Sequence, residues 1–270
     1  ICTRAMVEHT LAVSGKPKTK PGIKRAFRWL RSKPLKAGKW YKESMNGSFF
    51  SSDPQNELIL YGGGGHAKSL IDLIHSEGRW TIAGIVDDRL EPGSSVLGVA
   101  VLGNDSILPD LWHKGIHHAV NAVGGIGDVR PRLAVFQKLR EAGFQMPTIF
   151  HPHAFIEPTA TVADGCHLLY GVYIGSDSHV GFGCLLNSGV ILSHDCILGE
   201  YVNLSPGAIL AGSVNIGDRA QIGMGVTINL GLHIGAGARI GNSAVIKADV
   251  PDDVIVHAGE IWPHSSHSQV

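Results

Sequence analysis

The feature of this sequence that most restricts its fold is a run of aliphatic residues spaced six apart, from residue 156 to residue 246. All sixteen positions carry Ile, Leu or Val, and the residue four places further on is usually small. A period of six matches neither the two-residue repeat of a strand nor the repeat of about 3.6 residues of a helix. It predicts one short strand and one corner per hexad, stacked as a solenoid around an aliphatic core. The positions are Ile156, Val162, Leu168, Ile174, Val180, Leu186, Leu192, Leu198, Leu204, Leu210, Ile216, Ile222, Ile228, Ile234, Ile240 and Ile246.

The region before the repeat, residues 57–150, alternates between segments of strand and helix character. Such alternation predicts a small parallel α/β sheet with helices packed against it. The segments in chain order are an apolar strand at 58–61, an amphipathic helix at about 66–76, a strand ending in Asp87 and Asp88, a strand at 118–125 and a helix at 130–143.

A glycine-rich turn joins the first strand to the first helix of this region. Gly62, Gly64 and Ala67 match the loose GxGxxG/A pattern, in which helix N-terminal amides hold a phosphate. Asp87 and Asp88 follow the next strand, where carboxylates suit contacts with ribose or base hydroxyls. About 90 residues supply only one half of a dinucleotide-binding fold, so the pattern favours a nucleotide diphosphate over NAD. The competing interpretation is a glycine turn that merely closes the strand–helix corner.

Five segments of the chain, in this order and spacing, resemble one protein family. They are LYGGGGHAK, VDD, NAVGG, HPHAFIEPTATV and LNSGVILSHDCILGEYVNLSPGAILAG, and the resemblance covers about residues 57–258. The chain resembles the hexapeptide-repeat sugar O- and N-acetyltransferases of the sialic acid O-acetyltransferase type, which include bacterial UDP-4-amino-sugar N-acetyltransferases. This resemblance implies a small Rossmann-like α/β domain at 57–150, then a left-handed parallel β-helix at 151–258, with residues 259–270 as a C-terminal tail.

The resemblance also implies an activity and its partners. We expect N-acetylation of a nucleotide-activated amino sugar, of the UDP-4-amino-sugar type, in bacterial surface glycan biosynthesis. Acetyl-CoA would be the co-substrate, and neither a metal nor a nucleic acid is expected. The front domain would hold the nucleotide and the β-helix would hold CoA. The active site would lie between neighbouring subunits of a homotrimer in the cytoplasm.

The segment ILSHDC places a histidine and an aspartate inside the aliphatic repeat. In the family that the chain resembles, this histidine is the general base and the neighbouring acid orients it, roles that fall on His194 and Asp195. Imidazoles suit this proton transfer because they titrate near neutral pH, and a carboxylate stabilises the imidazolium. With 18 residues per coil, His194 stacks between Ser176 and Gly212, and Gly212 is expected to leave space for a thioester arm. The competing interpretation is a solvated surface histidine, since the chain has 15 histidines.

Ligand-binding residues follow from the same resemblance and from position in the repeat. Many relatives carry a second histidine where this chain has Asn203, which forms hydrogen bonds but cannot titrate and so weakens a two-histidine scheme. The expected substrate-binding residues are Gly62, Gly64, Gly65, His66, Asp87, Asp88 and Gly124, and the expected cofactor-binding residues are Asn187, Asn203, Ala211, Gly212 and Met224.

Three other functions stay open at this point. O-acetylation of sialic acid or another sugar hydroxyl would use the same fold and the same base. A metalloenzyme of the γ-carbonic anhydrase kind needs three imidazoles that converge on zinc. Against it, Gly199 stands five residues after His194, and His179 is 15 residues away, a spacing that does not stack the two. A non-catalytic protein that binds sugar nucleotides would release no thiol from CoA.

Residues 1–56 differ from the remainder of the chain in charge. They hold 12 Lys/Arg and 3 Asp/Glu, whereas the remainder holds 11 and 20. Apolar residues recur at helical spacing between residues 23 and 30, so we expect a short basic amphipathic helix with weak affinity for an anionic membrane surface. The competing interpretations are a disordered tail or a protein that starts at Met45. Because no stretch of about 18 apolar residues exists, the sequence predicts no transmembrane helix.

Overall fold

The structure is a computed structural model that describes residues 56–263 and one further strand, β1 (Leu35–Lys36). A front α/β domain precedes a left-handed parallel β-helix, which confirms the predicted fold class. The expected basic helix at 23–30 and the suggested start at Met45 lie outside the described residues. None of the helices in the described ranges has the length and apolarity that a bilayer crossing requires.

The front domain is a five-stranded sheet with helices on both faces. Alternate residues of its central strand point to opposite faces, so that Leu58 and Leu60 pack with the first helix, whereas Ile59 and Tyr61 pack with the other two. The strand order is β4-β5-β3-β2-β6, and only β4 is antiparallel to its neighbour. The elements are β2 (Glu57–Tyr61), α1 (Gly65–Glu77), β3 (Thr81–Val86), β4 (Ser95–Val96), β5 (Val99–Gly103), a 3₁₀ turn (Asp105–Ile107), α2 (Leu108–His113), β6 (His118–Asn121) and α3 (Arg130–Glu141).

Three short elements of the front domain, β4, β5 and α2, were not among the sequence predictions. The first two form a tight hairpin whose turn uses Leu97 and Gly98 at φ of 47° and 81°. The helix α2 is only six residues long, too short for a helical period to be recognised. The predicted strand at 118–125 ends at Asn121, where the chain turns into a second glycine-containing loop.

The β-helix stacks two-residue strands into three parallel sheets. Every residue of the predicted sixfold run is the second residue of such a strand. Their side chains form the continuous core, against which the partly buried Ile156 packs at one end. The strands are β7 (Ile149–Phe150), β8 (Phe155–Ile156), β9 (Thr161–Val162), β10 (His167–Leu168), β11 (Tyr173–Ile174), β12 (His179–Val180), β13 (Leu185–Leu186), β14 (Ile191–Leu192), β15 (Ile197–Leu198), β16 (Asn203–Leu204), β17 (Ile209–Leu210), β18 (Asn215–Ile216), β19 (Gln221–Ile222), β20 (Thr227–Ile228), β21 (His233–Ile234), β22 (Arg239–Ile240), β23 (Val245–Ile246), β24 (Ile255–Val256) and β25 (Ile261–Trp262).

We number the sheets by their strands. The first sheet contains β1, β9, β12, β15, β18 and β21, with β1 antiparallel to β9. The second contains β7, β10, β13, β16, β19, β22 and β24, and the third contains β8, β11, β14, β17, β20, β23 and β25. Each coil therefore passes from the second sheet to the third and then to the first.

The last coil of the β-helix is shorter than the others. Ile240 pairs with Val256 and Ile246 pairs with Trp262, a spacing of 16 residues instead of 18. The next sixfold position after Ile246 is Asp252, which is polar, and the chain instead bridges Val250 to Ile234. The strands thus run from residue 149 to residue 262, whereas the sequence predicted the β-helix at 151–258.

The front domain packs on the second sheet through its last helix. The ring of Phe136 on α3 lies 5.2 Å from that of Phe182 and 5.4 Å from that of Tyr201, both at corners of the β-helix. The Arg132 guanidinium, buried on the same helix, donates to the backbone carbonyl of Gly183. This packing places the carboxyl ends of β2, β3 and β6 beside the β-helix.

Candidate functional site

A cleft of about 670 Å³ opens where the carboxyl ends of β2, β3 and β6 meet. Ligands of parallel α/β sheets bind at this end of the strands. On the β-helix side, Leu185 and Asn187 complete the wall of the cleft. The cleft brings together all seven residues predicted to bind substrate, which are Gly62, Gly64, Gly65, His66, Asp87, Asp88 and Gly124.

The glycine loop 62–65 forms one wall and leads into α1. Gly62 has a φ of 108°, which disfavours any residue with a side chain. A Cβ on Gly63 would meet the end of the Leu90 side chain, which would have to move. Gly64 and Gly65, in contrast, face open space. That space lets a phosphate approach the first amides of α1 and the positive end of its dipole.

The Asp87 carboxylate fixes the conformation of the glycine loop by hydrogen bonding. Its Oδ2 accepts a hydrogen bond from the Gly63 amide at 2.7 Å. Its Oδ1 accepts from the amides of Arg89 and Leu90 at 2.8 and 3.0 Å. The carboxylate therefore ties the loop to the turn after β3, and contact with a ribose stays a prediction for it.

Asp88 belongs to a polar network at one end of the cleft. Lys138 on α3 donates to Asp88 at 3.2 Å and to Asp105 at 2.6 Å, and the Tyr61 hydroxyl donates to Asp88 at 3.0 Å. Burial raises the pKa of Tyr61 to about 12. Hydrogen bonds from Lys138 and Tyr61 outweigh burial and lower the pKa of Asp88. At neutral pH the network holds two carboxylates, one ammonium and a neutral phenol, and so offers acceptors to hydroxyl or N–H donors of a nucleoside.

A pair of imidazoles, one partly buried in the cleft and one fully buried, joins the cleft to the β-helix. His66 Nε2 in the first turn of α1 lies 3.1 Å from His167 Nδ1 on β10. Burial, and then the charge of Arg132, lower the pKa of His66 to about 3, and the same causes lower that of His167 well below its usual value. Both rings are therefore neutral, and one nitrogen donates to the other.

His194 and Asp195 occupy the corner that follows β14 in the third sheet. His194 Nδ1 lies 2.6 Å from Asp195 Oδ2. Because a carboxylate only accepts, Nδ1 carries the shared proton and the lone pair of Nε2 is available as a base. Asp195 has a φ of 58°, a left-handed conformation that aspartate tolerates better than most residues. Both side chains are more than half exposed, at 60% and 56%.

Gly212 lies one coil beyond His194, as the repeat predicts. The Ser213 amide donates to the His194 carbonyl at 2.9 Å, which fixes the stacking. A Cβ on Gly212 would stand 2.5 Å from Cε1 and 2.6 Å from Nε2 of the imidazole. The ring itself therefore fills the space that was expected to hold a thioester arm, and the glycine is what allows the ring to lie there.

The residues predicted to bind the cofactor separate into two groups within one chain. Asn187 and Met224 follow strands of the second sheet, at one edge of the third sheet. Asn203 lies on β16 of the second sheet and accepts from the Asn187 amide at 3.3 Å. Ala211 and Gly212 follow β17 and lie with His194 at the other edge of the third sheet. We call the corner that carries Asn187 and Met224 the cleft edge. The corner that carries His194, Asp195, Ala211 and Gly212 is the dyad edge, named after the pair formed by His194 and Asp195.

Sequence reasoning missed several side chains of the site. Tyr61, Lys138 and Asp105 belong to the polar network around Asp88. His167 shares a hydrogen bond with His66, and the charge of Arg132 helps to lower the pKa of His66. The sequence signal for Tyr61 was its place at the end of a strand beside the glycine loop. Among residues 56–263 and 35–36, no group of three potential metal ligands comes together.

Comparisons with known proteins agree with this architecture. Residues 57–139 match the family described as the PglD N-terminal domain. The chain is similar to the solved structure of PerB from Caulobacter crescentus in complex with CoA and GDP-perosamine, with 37% identity, a TM-score of 0.69 and coverage of 74% of this chain and 93% of that chain. No curated protein sequence matches the chain.

Two further solved structures are similar. One is a histidine-to-alanine variant of GDP-perosamine N-acetyltransferase from Caulobacter crescentus in complex with CoA and GDP-perosamine, with 36% identity, a TM-score of 0.70 and coverage of 74% and 93%. The other is the acetyltransferase domain of PglB from Neisseria gonorrhoeae in complex with acetyl coenzyme A, with 29% identity, a TM-score of 0.69 and coverage of 76% and 97%. The chain therefore belongs to the family of hexapeptide-repeat sugar acetyltransferases.

Proposed function

We propose that this protein transfers the acetyl group of acetyl-CoA to the amino group of a nucleotide-linked amino sugar. The observation that carries the proposal is the pair formed by His194 and Asp195, in which the carboxylate leaves Nε2 of the imidazole as the basic atom. The solved structures with bound CoA and GDP-perosamine support the same pair of substrates. Two of the similar structures contain GDP-perosamine, so the proposed acceptor includes guanine nucleotides as well as the expected uracil nucleotides.

In the proposed reaction, His194 acts first as a general base and then as a general acid. The neutral amine of the sugar attacks the thioester carbonyl, a C–N bond forms, and His194 Nε2 takes the proton that the nitrogen loses. Asp195 stabilises the imidazolium. When the C–S bond breaks, the imidazolium returns its proton to the leaving thiolate of CoA, and the base is restored.

A homotrimer would complete the site. The nucleotide cleft lies at one edge of the third sheet and His194 at the other, so a single chain holds them apart. Outward side chains on the sheet between these edges are apolar and exposed, at 41% for Phe155, 38% for Ile191 and 42% for Ile209. A cyclic arrangement joins the dyad edge of one subunit to the cleft edge of the next and covers this apolar face.

The test is release of free thiol from acetyl-CoA with a panel of UDP-, GDP- and dTDP-linked 4-amino sugars and free sialic acid. Wild type and the variant His194→Ala are compared under the same conditions. We expect release with one or more amino sugars, an amide in the product by NMR, and a loss of roughly a hundredfold in the variant, as for a missing general base.

Other outcomes assign the other functions. Release only with sialic acid and an ester product would establish O-acetylation instead. Nucleotide binding without any thiol release would support a binding protein. Activity of His194→Ala equal to wild type would remove His194 as the base.

A further inference from the structure

The wall of the cleft that faces the β-helix is the loop 122–129, which follows β6. Gly124, Gly125, Ile126 and Asp128 line the cleft from this loop. Its base is held from inside the front domain, because the buried Arg132 guanidinium donates to the carbonyl of Val123. The tip of the loop reaches away from the front domain toward the second sheet.

The loop tip is fastened by one side chain of the β-helix. Gln221 on β19 donates from Nε2 to the Gly127 carbonyl at 2.9 Å, and its Oε1 accepts from the Gly127 amide at 2.9 Å. A primary amide is the side-chain group that can donate and accept side by side in this way. Within the described part of the chain, these are the hydrogen bonds that tie residues 125–128 to the β-helix.

The three residues at the loop tip, 125–127, lie close against the β-helix. Gly127 has a φ of +81°, which an L side chain rarely adopts. A Cβ on Gly125 would stand 3.3 Å from Asn203, so the backbone lies directly on the β-helix surface. Ile126 between them is 71% exposed, although it is apolar and lines the cleft. The tip thus contributes an apolar side chain to the cleft that the glycine loop and Asn187 also line.

We propose that Gln221 is a positioning residue for the acceptor: it holds the loop tip that forms one side of the sugar-nucleotide cleft. This inference rests on the proposed function. Gln221 does not itself line the cleft, so it acts through the backbone of Gly127. Its loss should weaken capture of the acceptor while the chemistry at His194 stays intact.

The experiment uses the full chain with Gln221→Ala and Gln221→Glu, and Gln137→Ala as a matched control. Gln137 is an exposed glutamine of α3 whose amide donates to Glu141 of the same helix. The glutamate variant keeps the length of the side chain, but its carboxylate cannot donate to the Gly127 carbonyl. Steady-state kinetics with a GDP-linked 4-amino sugar and acetyl-CoA are combined with calorimetric titration of GDP and UDP and with thermal melting.

We expect both Gln221 variants to raise the acceptor KM on the order of tenfold, as for the net loss of one or two hydrogen bonds. The kcat, the acetyl-CoA KM and the melting temperature should stay at wild-type values, and the control should change nothing. An unchanged acceptor KM would overturn the inference, and so would a lower melting temperature with both KM values raised. A wild-type protein that neither binds GDP or UDP nor releases thiol would instead refute the proposed function, and the inference with it.

Discussion

Glycines at this site serve opposite purposes, and the side chain that each would carry shows which. Gly212 has no free space, because the imidazole of His194 lies against it. Gly64 has open space on the cleft side of the loop. The first glycine protects the position of a protein group, and the second leaves room for a ligand. The sequence predicted both residues as ligand contacts and could not separate these roles, since both read simply as glycine.

Gly212→Ala tests the first role. The added methyl group must displace the ring of His194, because its position would be 2.5 Å from Cε1. We expect kcat to fall roughly a hundredfold, as for a general base moved out of reach. The melting temperature should change little, because the ring that must move is 60% exposed and can turn into solvent. The measurement is thiol release together with thermal melting. Wild-type kcat in the variant would show that the observed ring position is not the working one.

Gly64→Ala tests the second role. The residue has φ of −80° and ψ of −162°, which alanine adopts without strain, so the fold should be retained. We expect the affinity for GDP or UDP to fall about tenfold or more, because the methyl group occupies the approach to the helix amides. Titration calorimetry measures it, with the acetyl-CoA KM as the internal control. Unchanged nucleotide affinity would place the phosphate elsewhere.

At the scale of elements, the junction between α1 and β10 depends on two neutral imidazoles. Folded His66 and His167 resist protonation, whereas the same residues in the unfolded chain titrate near pH 6.5. As the pH falls below about 6.5, the unfolded chain therefore binds protons that the folded chain does not. Folding stability is lost in that direction until the pH reaches the folded pKa, about 3 for His66.

The variant His66→Gln isolates this effect. Each histidine should lower the free energy of unfolding by about 1.4 kcal/mol per pH unit below pH 6.5, so the variant should lose stability less steeply. Urea denaturation between pH 7.5 and 5.5 measures the slopes, and other titrating groups cancel in the comparison. The exposed His233→Gln serves as the control for the substitution itself, and an equal change of slope there would show that the effect does not belong to the junction. Equal slopes for His66→Gln and wild type would contradict the account.

Elements with a strict repeat could be predicted from sequence, and contacts between distant residues could not. The sixfold residues all became core positions of two-residue strands, and the break came where Asp252 interrupts the run. The hairpin β4–β5 and helix α2 are too short to show a period. Lys138, Arg132 and Gln221 form hydrogen bonds with residues 50, 51 and 94 positions away in the sequence, separations that no local sequence pattern reveals.

At the scale of the whole molecule, the proposed active site consists of two half-sites at opposite edges of one β-helix face. The cleft edge carries the glycine loop with Asn187, and the dyad edge carries His194 with Asp195. From the sequence alone, the 18-residue coil predicted that His194 stacks against Gly212. It could not predict the separation between the cleft edge and the dyad edge, because that depends on where the front domain packs. The proposed trimer, which joins unlike edges, would form each active site from two chains.

The most direct test of this central claim is complementation between two impaired variants, His194→Ala and Gly64→Val, assayed by thiol release at an acceptor concentration well below the wild-type KM. If the site is shared, random co-assembly of equal amounts pairs an intact His194 with an intact Gly64 at about a quarter of the interfaces. We therefore expect about a quarter of wild-type activity from co-expressed chains, and background activity from each variant alone. Background activity in the co-expressed protein, with mixed trimers present, would show that each chain carries its own complete site and would contradict the account.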